Sequence, residues 1–101
     1  MPAETYELDA EARHELDEAI GFFESERSGR GYEFLEAVQD DIALLVQYPN
    51  AGRRLRGGFQ SFVLADWPYK IIYSVENAVV IVWALAHDSR RPGYWRKRVR
   101  R

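Results

Sequence analysis

The chain has no cysteine and only two histidines, His14 and His87. Disulfide scaffolds, thiol nucleophiles and cysteine-ligated zinc or iron–sulfur sites are excluded, and a dedicated metal centre is short of ligands. A reducing cytoplasm is the simplest compartment for such a chain. Long hydrophobic runs are also missing. The longest, Ala78 to Ala86, is far too short to span a bilayer. The opening residues, Met1-Pro-Ala-Glu-Thr-Tyr-Glu-Leu8, have neither the basic start nor the apolar core of a secretory signal. There is no GxxxxGK(S/T) phosphate loop. The Gly29-x-Gly31 pair stands between two helical stretches rather than behind a strand, so it is not a dinucleotide fingerprint.

The 101 residues suit a single domain, 1–101, and with 47 % apolar and 30 % charged residues wholesale disorder is excluded. The net charge of −2 conceals a strong asymmetry. Residues 1–50 carry three basic side chains against thirteen acidic ones, a balance of −10, and residues 51–101 carry eleven against three, a balance of +8. Either the basic half meets an acidic or polyanionic partner, or helices have simply collected glutamate and the tail arginine.

Hydrophobic spacing divides the chain at Pro49. Before it, Ala12, Leu16, Ala19, Ile20 and Phe23 recur at helical spacing behind Asp9, a good N-cap, and predict a helix over about 10–27. Phe34, Leu35, Val38, Ile42, Leu45 and Val46 predict a second over about 31–47, with Glu33, Glu36, Asp40 and Asp41 on its solvated side. Thr5–Leu8 suits a short edge strand. After Pro49, β-branched and aromatic residues predict strands near 59–65, 69–75 and 79–87, with a tight turn at Glu76-Asn77. The last strand is apolar on both faces and should be central. The expected class is α+β, a helical hairpin on one face of a small antiparallel sheet in the order β-α-α-β-β-β. The other face then needs cover from the C-terminal segment, a second subunit or a partner.

Titratable groups cluster in the basic half: Arg53, Arg54 and Arg56 before the first long strand, Lys70 in the next, His87 at the end of the last. A metal-free ribonuclease needs a base, an acid and cations for the developing phosphorane charge, and His87, Tyr94 and the Lys/Arg set are the available groups. The alternative for His87 is a structural histidine closing a strand. Tyr94-Trp95 suits either base stacking or packing over the open sheet face. Arg96, Lys97, Arg98, Arg100 and Arg101 read as a solvated basic terminus.

Three strings resemble the RelE/ParE superfamily of type II toxin–antitoxin toxins: Arg53-Arg-Leu-Arg-Gly-Gly58, Trp67-Pro-Tyr-Lys-Ile-Ile-Tyr73, and Ala86-His-Asp-Ser-Arg-Arg-Pro-Gly-Tyr-Trp95 with Arg98. The last is similar to the ParE-like branch known as plasmid stabilisation proteins. The resemblance implies a cognate antitoxin wrapped over the toxin, no metal and no cofactor. RelE-like members cleave mRNA on the ribosome, and ParE-like members poison DNA gyrase. On the nuclease pattern, Arg54 and Arg56 are phosphate contacts, Lys70 takes a position often held by arginine, and His87 and Tyr94 are the acid–base pair. The expected target or nucleic-acid contacts are Arg53, Arg54, Arg56, Arg90, Arg91, Trp95 and Arg98, with Arg90, Arg91 and Trp95 as the anchors if the protein is a gyrase poison. The chain departs from the nuclease pattern at Leu64-Ala-Asp-Trp-Pro-Tyr-Lys70 and in the longer spacing from His87 to Tyr94. The favoured expectation is a ParE-like toxin. A RelE-like nuclease is the alternative, an inactive family member the third, and a homodimer closing over the open face is a further expectation.

Overall fold

A computed structural model describes residues 1–99. The elements run β1 (Thr5–Leu8), α1 (Ala10–Glu26), α2 (Arg30–Gln47), β2 (Arg53–Leu55), β3 (Phe59–Val63), β4 (Tyr69–Glu76), β5 (Val79–His87) and a 3₁₀ turn at Arg96–Arg98. Asp9 caps α1, its carboxylate accepting from the Glu11 N–H at 3.0 Å. Between the helices, Glu24 accepts from the N–H groups of Gly29 and Gly31, satisfying donors at the start of α2.

The five strands lie in the order β1-β5-β4-β3-β2. All pairs are antiparallel except β1–β5, which is parallel. The α+β class and the helical hairpin are as expected, with two differences. β1 is parallel to β5 because the whole helical hairpin intervenes before β1's neighbour is reached. Arg53–Leu55 is an extra edge strand, invisible to a hydrophobic alternation because two of its three residues are arginine. The β4–β5 turn is Asn77-Ala78, both at positive φ, with Glu76 still paired to Val79.

The helices cover one sheet face. Leu16, Phe23, Phe34, Val38 and Leu45 pack there on Ile71, Tyr73, Val80, Val82 and Leu85. The other face carries Ile72, Trp83, Ala84 and Ala86, and it is covered from within the chain by Trp95, which is 3 % exposed. A bulge makes this possible: Ile72 pairs with Ala84 but Tyr73 with Val82, so Trp83 is the extra residue. Alternation reverses at that point. Val80 and Val82 face the helices before it, and Leu85 does so after it.

Tyr73 fixes the approach to β2. Its buried hydroxyl donates to the Pro49 carbonyl at 2.7 Å and accepts from the Gly52 N–H at 2.9 Å, and the Gln60 amide lies 2.9 Å from it. A Cβ on Gly52 would stand 2.6 Å from that oxygen, so only glycine fits. No helix among the described residues is long and apolar enough to cross a membrane. Tyr73→Phe, which leaves the Gly52 donor without this partner, is expected to cost about 2 kcal/mol in urea unfolding.

Candidate functional site

The C-terminal segment is anchored by one carboxylate. β1 stops at Leu8, opposite Val82, because the chain turns into α1 at Asp9, and beyond that point the edge of β5 has no neighbouring strand. Glu15 of α1 fills the gap. Its Oε1 accepts from the Leu85 N–H at 3.0 Å and from Arg98 Nη1 at 2.9 Å, and its Oε2 accepts from Arg98 Nη2 at 2.8 Å and from the Tyr94 hydroxyl at 2.6 Å. Arg98 Nη1 also donates to the Trp83 carbonyl at 3.0 Å, so the Leu85 N–H and the Trp83 carbonyl on the bare edge both have side-chain partners. Arg90 stands 3.7 Å from Glu15 Oε2 and stacks on the Tyr94 ring at 3.8 Å.

Burial raises the Glu15 carboxyl, but the bonds from Arg98, Tyr94 and the Leu85 N–H, with the Arg98 charge, outweigh it and hold the group below the ordinary glutamate value of 4.5. Burial and the bond to Glu15 push the Tyr94 phenol well above its ordinary value of 10. At neutral pH that phenol keeps its proton and donates its hydrogen bond to the Glu15 carboxylate.

Between β2 and the 88–96 segment lies a cleft of about 320 Å³. Arg53 and Arg56 line one wall, Arg90, Arg91 and Arg96 the other, with Lys70 between them and no acidic side chain on its lining. Arg96 ties the walls together, donating to the Arg56 carbonyl at 3.1 Å and lying over Trp95 at 4.6 Å. Among the described residues, Arg53, Arg56, Lys70 and Arg91 have no ion-pair partner.

The expected site residues thus divide. Arg53, Arg56, Lys70, Arg90 and Arg91 converge on the cleft, whereas Arg54 is not on its lining, since alternation along β2 puts Arg53 and Leu55 on that side. His87 borders the cleft but pairs across the sheet with Tyr69, and its ring lies edge-on to that tyrosine at 5.0 Å, on the helical side. The Ser89 N–H donates to His87 Nδ1 at 2.9 Å, and the Ser89 hydroxyl lies 2.8 Å from the same nitrogen, which fixes the proton of the neutral ring on Nε2. Trp95 is sealed against the sheet with Phe59 edge-on at 4.8 Å. The tail is not simply solvated, because Arg98 is held against Glu15 with both side chains about nine-tenths buried. Arg100 and Arg101 lie outside the described residues. Glu15 was missed from the sequence, although its position three residues after Ala12 and four before Ala19 places it on the buried stripe of α1. No cluster of three or more metal-ligating side chains occurs among the described residues.

Residues 6–92 match the model of the family described as the ParE toxin of type II toxin-antitoxin systems, parDE. The chain belongs to the ParE toxin family. Among solved structures it is similar to the chromosomal ParDE toxin–antitoxin system from P. aeruginosa, with a TM-score of 0.61 and 19 % identity, covering 86 % of this chain and 96 % of that one. At that identity the likeness speaks for the fold. No curated protein matches the chain in sequence.

The Glu15 site generates a prediction with a defined pH dependence. A carboxylate depressed in the folded state stabilises above its unfolded value and loses that contribution as pH falls through the folded one. Glu15→Gln is expected to cost about 3 kcal/mol at neutral pH, the lower range for breaking a buried pair. In urea titrations the gap to the parent protein should be constant above pH 4.5 and narrow below it.

Proposed function

We propose that this ParE-family toxin inhibits growth in the cytoplasm by acting on DNA gyrase, as the family resemblance implies, and that a cognate antitoxin neutralises it. The observation that carries a binding mechanism over bond cleavage is the 2.6 Å bond from Tyr94 to Glu15. It commits the phenol that a nuclease would use for proton transfer, while His87 is turned toward Tyr69. What the cleft offers is fixed positive charge, which suits an interface and calls for no metal or cofactor.

An acidic stretch of the antitoxin suits Arg53, Arg56, Arg90 and Arg91. Its apolar anchor suits the adjoining groove, where Phe22, 57 % exposed, lies beside Tyr69 and Arg90. A homodimer over the open sheet face loses its motive, because Trp95 already covers that face.

The test pairs a supercoiling assay on purified gyrase with mapping of mRNA 5′ ends after induced expression. Lost supercoiling or trapped double-strand breaks with intact mRNA is the expected result. Arg90→Ala and Arg91→Ala should each weaken inhibition about tenfold, the scale of an interface anchor. Codon-linked mRNA breaks with normal supercoiling would overturn the reading, most directly if Tyr94→Phe lowered cleavage about a hundredfold. Co-expression with the neighbouring open reading frame should restore growth and yield a co-purifying complex.

A further inference from the structure

We propose that the free toxin grips the phosphodiester backbone of duplex DNA in the basic cleft, without reading the bases. Four cations on the cleft, Arg53, Arg56, Lys70 and Arg91, come from three separate parts of the chain and have no ion-pair partner among the described residues. Gathered without a counter-charge they repel one another, and a row of phosphates relieves that repulsion while releasing condensed counterions. Two of them are well positioned in advance. Lys70 is half-buried in a central strand, and Arg53 follows Gly52, which Tyr73 holds in place.

The form of the polyanion follows from what the cleft withholds. Single-stranded nucleic acid is held by bases stacking on free aromatic faces, each worth about 1–3 kcal/mol. Here the rings on the cleft are already engaged: Trp95 is 3 % exposed, the Tyr94 ring has Arg90 at 3.8 Å and Arg98 at 4.9 Å, and His87 lies edge-on to Tyr69 at 5.0 Å. The antitoxin's acidic stretch depends on the adjoining Phe22 groove for its apolar anchor, because Ile72 and Ala86 on the cleft are 1 % and 3 % exposed, so in the free toxin the cleft by itself offers charge alone. A duplex makes neither demand, since its bases stack on each other and it presents only phosphates. The charge asymmetry orients the contact as well. The helical hairpin lies in the half of the chain that carries −10, so it repels DNA and leaves the cleft side to meet it.

This contact is independent of gyrase being the target, and a binding assay separates the two. Fluorescence anisotropy of a short labelled DNA duplex is measured with the antitoxin-free chain across salt concentrations. Binding should weaken roughly a hundredfold between about 50 and 200 mM salt, as for about four neutralised phosphates. Arg53→Ala and Arg91→Ala should each flatten the logarithmic salt slope by about 0.9, with thermal melts confirming the fold. Arg27→Ala, at the far end of α1, should leave the slope unchanged. Single-stranded RNA of equal length binding as tightly as the duplex would overturn the proposal. So would a duplex affinity indifferent to salt or to both cleft substitutions. Supercoiling inhibition that persists without duplex binding would refute the DNA contact and leave the gyrase reading standing, and the reverse pattern would do the opposite.

Discussion

The bare edge of β5 is the constraint on which the rest of the molecule depends. A strand that loses its neighbour halfway along leaves backbone donors and acceptors exposed, and burying them without partners costs free energy. In this chain the partners are side chains, Glu15 for the Leu85 N–H and Arg98 for the Trp83 carbonyl. Because Arg98 must reach that edge, the preceding residues are drawn across the open sheet face, Trp95 is laid over Ile72 and Ala86, and the loop carrying Arg90 and Arg91 becomes a wall of the cleft. One carboxylate on the first helix therefore sets the shape of a basic cleft lined by the other half of the chain.

The same carboxylate sorts the polar groups around the cleft. It takes the Tyr94 hydroxyl and the Arg98 fork into the structure and stands 3.7 Å from Arg90, while Arg53, Arg56, Lys70 and Arg91 have no ion-pair partner among the described residues. Charges held on a sheet and a braced loop lose little freedom when a partner arrives, so more of their attraction appears as affinity. A carboxylate with four hydrogen bonds is also hard to dislodge, which makes the segment from Tyr94 to Arg98 part of the folded framework rather than an arm awaiting its target.

Much of the fold was legible because its signals are local. The helical stripes of α1 and α2 and the doubly apolar β5 each announce a period and a face. Packing of Trp95 over the sheet was one of two openings the sequence allowed, and the apolar surface beneath it decided between them. What was illegible is long-range or lies within a uniform composition. Glu15 and Arg98 are 83 residues apart, one of thirteen acids in its half and one of eleven bases in the other. The bulge at Trp83 leaves no mark, since residues on both faces of β5 are apolar, yet it reverses the alternation and turns His87 toward the helices. That reversal, invisible in the sequence, sets the imidazole edge-on to Tyr69 at the border of the cleft.

The outermost strand has a consequence for how the protein behaves in bulk. β2 is an edge of only three residues, and two of them, Arg53 and Arg54, project exposed charge. Pairing this edge with its counterpart on another copy would bring four guanidinium groups together along one short ladder, an arrangement that like-charge repulsion disfavours. Edge-to-edge pairing is thereby opposed at this border of the sheet, where backbone hydrogen bonds would otherwise invite it. The protection is colloidal and rests on unscreened charge. Concentrated solutions should stay clear at low ionic strength, and added salt, by shortening the reach of these arginines, works against solubility rather than for it.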